Sequence, residues 1–299
     1  MCVKLCTSVA HTATQARAPW VGVRPFRQTG GSGAWWHRGS ARERAGDQVS
    51  LPAGTFAVAV ETVQAANREG VPLKLLGGQA VRYLTPDFPP RQRGDQDMDF
   101  ASVSSAKRPV MDLLTELGFE GDKRFNTMHG HRQMYFRSAA DGTSVDVIMD
   151  QLKMCHVLRF SDRIGRMPYT LDVTDLLLSK LQVVEQNEKD VHDIVYLLAA
   201  HEVREGDEAG TIGLERFGKV LTEDWGWWRT ATGNLDRVVE LVSGDLARLV
   251  PPGAPHDPVE HAVALRRHAD TMPKSLRWKV RARLGERVQW YEVPEEVGH

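Results

Sequence analysis

Three aspartates carry the chemistry this sequence can offer. Asp97 and Asp99 lie in Arg93-Gly94-Asp95-Gln96-Asp97-Met98-Asp99-Phe100, and Asp146 lies in Ser144-Val145-Asp146-Val147-Ile148-Met149. Side chains on a strand alternate between faces, so Asp97 and Asp99 point one way while Met98 and Phe100 point the other. In the second segment Val145, Val147 and Met149 share the face opposite Asp146. Two neighbouring strands would set three carboxylates on one side of a sheet, where each resists ionising unless a cation sits among them. Hard oxygen ligands of this kind suit Mg²⁺ or Mn²⁺, with substrate phosphates completing the octahedron. The chemistry expected is metal-assisted phosphoryl or nucleotidyl transfer; the competing reading is a solvated pair of acids.

The elements around the acids sharpen that expectation. Upstream, Val71-Pro72-Leu73-Lys74-Leu75-Leu76 reads as a short apolar strand running into Gly77-Gly78. A helically spaced segment follows, with Ala80, Val81 and Leu84 on one side. Glycines at a strand-to-helix turn let the backbone approach a ligand, and the helix N-terminus favours a phosphate. Gly77 and Gly78 are therefore the expected phosphate cradle.

Gly77-Gly78-Gln79-Ala80, then Arg93-x-Asp95-x-Asp97-Met98-Asp99-Phe100, then Val145-Asp146-Val147 resembles the nucleotidyltransferase superfamily typified by DNA polymerase beta. The closer likeness is to its minimal and AbiEii-type toxin branches. It continues in Leu176-Leu177-Leu178-Ser179-Lys180-Leu181-Gln182 and in Glu188-Lys189-Asp190-Val191-His192-Asp193-Ile194. The resemblance implies an α/β fold, a mixed sheet flanked by helices, followed by a mainly helical C-terminal domain. It implies that Asp97 and Asp99 hold metals, that Asp146 supplies a third ligand or the base, and that Lys180 contacts the nucleotide. The substrate would be an NTP such as ATP, with Mg²⁺ or Mn²⁺ as cofactor, and toxin-like relatives modify the 3′ end of tRNA. A second, antitoxin protein is an expected partner on the same ground. Two departures stand out: Gly78 occupies a position where many members have Ser, and the stretch 85–90 is long for the compact members.

Lys180 also stands out by its own spacing. Turning residues 173–184 by about 100° each places Val173, Leu176, Leu177, Leu181 and Val184 on one apolar arc, with Lys180 near its centre. A lysine in a buried stripe must find an anion or snorkel outward. A triphosphate would serve, and so would a structural carboxylate. The next helix, over residues 189–200, buries Val191, Ile194, Val195 and Leu198. Asp190 borders that face, where it could anchor Lys180, and Asp193 is expected nearer solvent unless something covers it.

The chain has 299 residues, with 38 Lys and Arg against 39 Asp and Glu, a net charge of −1. That balance does not announce a nucleic acid partner. Three cysteines, of which Cys155 alone lies beyond the first 48 residues, make no disulfide framework and fit a cytoplasmic setting. No apolar run reaches the length of a membrane span. Residues 1–48 hold seven Lys and Arg against two acids with no sustained periodicity, which reads as a disordered or over-annotated leader. The catalytic domain is expected over residues 49–170 and the helical domain over 171–299, with a first helix at 55–67.

Between the acidic strands, residues 109–117 read as a helix stopped by Gly118. Residues 125–128 and 132–137 read as two strands joined through Gly130. His129, His131 and His156 lack a paired zinc-ligand spacing and are expected as turn and core residues. Downstream, Asp224-Trp225-Gly226-Trp227-Trp228-Arg229 is suited either to stacking a base or to interior packing. Residues 262–290 carry eight Lys and Arg against two acids, interleaved with Trp278 and Trp290. Arg277, Arg281 and Arg283 could meet an RNA backbone, or pair with acids such as Glu292, Glu295 and Glu296. The alternative to an enzyme is a non-catalytic nucleotide- or RNA-binding protein, or a toxin–antitoxin component acting by contact, which Gly78 in place of Ser keeps open.

Overall fold

The computed structural model describes residues 54–90 and 97–293. The leader expected over residues 1–48 lies outside them, as do Arg93, Asp95, Glu295 and Glu296. The described residues fall within one compact unit, Leu51–His299.

Helix α1 (Thr55–Glu69) ends where Gly70 takes φ +70, the left-handed conformation that stops helices. β1 (Lys74–Leu75) runs into α2 (Gly77–Leu84), the strand–glycine–helix turn expected from the sequence. Then come β2 (Met98–Ser102), α3 (Lys107–Glu116), β3 (Phe119–Gly121), α4 (Lys123–His129), β4 (Gln133–Ser138) and β5 (Ser144–Met149). These strands form one mixed sheet in the order β1-β2-β5-β4-β3, with β2 and β5 parallel and the other neighbours antiparallel.

The β2–β5 pairing fixes where the acids face. Met98, Asp99 and Phe100 lie opposite Val145, Asp146 and Val147 in register. Met98, Phe100, Val145 and Val147 are buried in a core shared with residues of α1 and α3, while Asp99 and Asp146 are half-exposed on the other face. A slip of one residue would bury both carboxylates and expose the four apolar side chains. At roughly 2 kcal/mol for each apolar side chain, the register is strongly specified.

The hairpin expected across residues 125–137 is not what forms. Residues 123–129 are helical, because Asp122 caps α4 by accepting a hydrogen bond from the Phe125 amide at 2.8 Å. The Asn126 side chain then ties the helix to β4, donating to Tyr135 O at 3.0 Å and accepting from Tyr135 N at 2.7 Å. The strand antiparallel to β4 on that side is β3, upstream of the helix.

A small hairpin, β6 (Gln151–Lys153) with β7 (Val157–Arg159), leaves the sheet, and an irregular stretch leads to α5 (Val173–Leu181) and α6 (Glu188–Ala200). Along the way Leu75 N donates to Tyr169 O at 2.8 Å, so the chain returns to the edge of β1 before α5 begins. β8 (Val203–Arg204) and β9 (Ile212–Gly213) form a short parallel pair. The remainder is helical: α7 (Leu214–Glu223), α8 (Trp225–Val242), α9 (Pro258–Thr271) and α10 (Leu276–Ala282). The whole is a mixed α/β sheet flanked by helices with a helical C-terminal region, as the sequence leads one to expect. No helix among the described residues is long and apolar enough to cross a membrane.

A buried ion network clasps the irregular stretch to the helices. Arg163 contacts Asp175 at 2.6 Å, Asp207 at 2.5 Å and Asp172 at 3.4 Å, and Arg216 contacts Asp175 at 2.8 Å. Burial pushes the Asp175 carboxyl above its ordinary range, against the pull of Arg216 and Arg163. Burial opposes ionisation of Asp207 too, but its hydrogen bond to Arg163 and the neighbouring arginines hold it below. Sequence reasoning passed over this cluster, whose members are spread from residue 163 to residue 216.

Candidate active site

The site assembles where α2 starts. Gly77 sits at φ +64, and a Cβ built on it would overlap Oδ2 of Asp99. Glycine is needed there for both reasons: the left-handed backbone and the close approach to the carboxylate. Leu76 N donates to Asp99 O at 2.8 Å, and Gln79 Nε2 donates to Asp97 O at 3.1 Å. These two bonds fix the first turn of α2 against the start of β2, so the amides of a helix N-terminus stand beside the acids.

Asp146 lies across from Asp99 on the adjacent strand. Gln133 on β4 donates from Nε2 to Asp146 Oδ1 at 2.6 Å, a short bond of the charge-assisted kind. Sequence reasoning missed Gln133. The signal was present in the alternation of β4, where Gln133 and Tyr135 pair with Ile148 and Asp146 and share their face, but it becomes readable only once the β4–β5 register is known. Asp97 stands one residue before β2, so strand alternation alone does not fix its direction.

Among the described residues no three His, Cys, Asp or Glu side chains already form a metal-holding group. What the fold presents is a pair, Asp99 and Asp146, with Asp97 at its border. That set fits Mg²⁺ or Mn²⁺, which are commonly held by one or two carboxylates with phosphate and water oxygens in the remaining positions.

Lys180 joins a different group. Its Nζ lies 2.8 Å from Asp193 Oδ2 and 3.8 Å from Asp190 Oδ1. Asp193 is buried, which corrects its expected place near solvent: α5 and α6 pack together and cover it. Every residue of α5 except Lys180 is buried, polar Thr174, Asp175 and Ser179 included, so Lys180 is the helix's one partly exposed position and not the centre of a buried stripe. Asp190 serves mainly its own helix, accepting from the Asn187 amide in a capping box. His192 stacks on Tyr196 with ring centroids 3.9 Å apart, and the Tyr196 hydroxyl donates to Pro89 O at 2.9 Å. The long stretch after α2 is thereby tied to α6. Helix α2 packs on both α5 and α6, so the lysine group and the carboxylate group flank one helix.

In the C-terminal region Arg281 is spent internally, donating to Gly285 O and Val288 O and lying 4.7 Å over the Trp225 ring. Arg277 and Arg283 are exposed, and Glu292 pairs with Lys153 at 2.7 Å rather than with an arginine. His156 is buried with Nε2 2.8 Å from Thr230 Oγ1, while His129 lies against Phe125.

No family model and no curated protein matches the chain. Among solved structures, the lincosamide antibiotic adenylyltransferase LnuA in its lincomycin-bound form is similar over 48% of this chain and 96% of its own, with 16% identity and a TM-score of 0.36. A likeness of that extent leaves the reading of the site to its own geometry.

Proposed function

We propose that this protein is a nucleotidyltransferase that moves a nucleoside monophosphate from an NTP to an acceptor hydroxyl. The observation that carries the reading is the in-register pair Asp99 and Asp146 facing a helix N-terminus whose glycine lies against Asp99. Asp99 and Asp146, with Asp97, would hold Mg²⁺ or Mn²⁺. When bound, such an ion offsets charge on the triphosphate and lowers the pKa of the attacking hydroxyl.

The chain's own groups do the rest. Gly77, Gly78 and the first amides of α2 receive phosphate oxygens and orient the α-phosphorus. Asp146, held by Gln133, takes the acceptor's proton as its oxygen bonds to that phosphorus. The bond to the β-phosphate breaks and pyrophosphate leaves with the electron pair. Lys180, paired with Asp193, would offer its positive charge to a phosphate oxygen. Asp190, 3.8 Å from the same Nζ, would add a weaker attraction to that lysine.

The acceptor we favour is an RNA end such as that of a tRNA, met by the exposed Arg277 and Arg283; Arg281 supports their helix instead. A non-catalytic nucleotide- or RNA-binding protein, or a toxin–antitoxin component acting by contact, is the second reading. It is favoured by Gly78, which stands where many members of the resembling superfamily have Ser.

Pyrophosphate release from each NTP, with Mg²⁺ and total RNA, tests the choice, with wild type beside Asp97→Asn/Asp99→Asn. Release by the wild type alone supports transfer. Release by neither, with protein and small-molecule acceptors also silent, supports the second reading.

A further inference from the structure

Two aromatic segments that lie far apart in the sequence meet around one cavity of about 950 Å³. The start of α8 brings Trp225 and Trp227, and the C-terminal stretch brings Trp278, Trp290 and Tyr291. None of Asp97, Asp99, Asp146, Gly77 or Lys180 lines it. Its volume lies within the range of small-molecule sites.

The walls are built rather than collapsed. A Cβ on Gly226 would overlap Trp290 O, so the C-terminal stretch lies directly on the first turn of α8. Trp290 Nε1 donates to Thr230 Oγ1 at 3.1 Å, and that hydroxyl also meets His156 Nε2 at 2.8 Å. Glu292 N donates to Cys155 O at 3.0 Å, which joins the same stretch to the β6–β7 turn.

The charges divide into spent and available. Arg216 is held by Asp175, Arg281 by backbone carbonyls, Glu292 by Lys153, and Asp224 by the amides of Gly226 and Trp227. Arg159, Lys219 and Arg277 are exposed and have no ion-pair partner among the described residues. Asp162 and Glu223 on the same lining are the corresponding acids. Trp225 and Trp227 are buried, with Arg281 over one ring and His156 against the other, so the partly exposed Trp278 and Trp290 are the indoles a base would meet. With a surplus of cations and two carboxylates able to accept from hydroxyls, they are together what a base, a phosphate and a ribose require.

We propose that this cavity is a second nucleotide site, separate from the carboxylates, taking a nucleoside phosphate with its base on the indoles and its phosphate on Lys219 and Arg277. The ligand is either a free nucleotide or the terminal nucleotide of an RNA.

The probe is AMP, titrated in EDTA and followed by tryptophan fluorescence. Saturable quenching is expected in the wild type and, unchanged, in Asp97→Asn/Asp99→Asn. It is expected to weaken about 10-fold or more in Lys219→Glu/Arg277→Glu, where two attractive contacts become repulsive. Both substituted positions are exposed, and near-UV circular dichroism confirms the fold. No quenching up to about 5 mM, a level where even weak specific binding shows, overturns the proposal. So does quenching indifferent to the charge reversals, or quenching lost with Asp97 and Asp99. A short single-stranded RNA that displaces AMP identifies an RNA end as the source; one that does not leaves the free nucleotide.

Discussion

The backbone of Gly77 and the carboxylate of Asp99 occupy adjoining space so closely that no side chain fits between them. The turn that would hold a phosphate and the acid that would hold a metal are thus one structural unit. Gly77→Ala must strain a backbone at φ +64 and displace Asp99. The left-handed conformation alone costs about 1 kcal/mol for a residue with a Cβ. Transfer is expected to fall below detection while the chain remains folded. Gly78, inside α2 and without a positive φ, carries no such backbone constraint, so Gly78→Ala should cost transfer less than Gly77→Ala. Equal effects of the two substitutions, measured by pyrophosphate release and thermal unfolding, would contradict this account.

Gln133 is expected to act through Asp146. Its removal in Gln133→Leu deletes a hydrogen bond to a charged group, worth ~1.5–3 kcal/mol, so kcat should drop by roughly 10- to 100-fold. Gln133→Glu should be worse, since it sets a second anion beside Asp146. KM for the NTP should hardly move in either, because Gln133 touches the proposed base and not the phosphate cradle. A KM effect without a kcat effect would remove Gln133 from the catalytic machinery.

Lys180 and Asp193 make a pair of which the carboxylate is buried. Removing one partner from a buried pair costs ~3 kcal/mol or more, whereas replacing both by apolar groups costs far less. Denaturant unfolding of Lys180→Met, Asp193→Leu and the double variant should therefore show strong coupling. If Lys180 also serves a phosphate, the double variant regains stability without regaining transfer. Recovery of both would make the lysine structural only.

Burial holds His156 and His201 at a pKa of about 4, against an ordinary value of 6.5. Both are neutral in the folded protein. As pH falls from 6.5 toward 4 the unfolded chain binds protons the folded chain does not, so stability falls through that window and is fully present above it. Each imidazole contributes on the order of 3 kcal/mol at most. Urea midpoints measured between about pH 7 and pH 4.5 should decline, and His156→Gln/His201→Gln should flatten the decline. An equally steep curve in the double variant would place the acid sensitivity elsewhere.

How much of this was legible beforehand follows from the range of the forces involved. Alternation along 98–102 and 144–149 and the Gly77 turn are local patterns, and the strands and α2 follow from them, while the β2–β5 pairing brings Asp99 and Asp146 to one face. The same local logic failed at residues 125–128, where a capping aspartate outweighed strand-like composition. It also failed for Asp193, whose burial is decided by α5 packing over α6 and not by its place on its own helix wheel.

By itself, then, the sequence determined most of the elements and which residues of each strand share a face, because backbone periodicity and side-chain polarity act over a few residues. Only the tertiary structure decided that Gln133 reaches Asp146, that Lys180 meets Asp193, and that Trp225 and Trp290 share a cavity wall. Those contacts join residues 13 to 65 positions apart, and nothing in local periodicity encodes which distant partner the packed core will bring into reach.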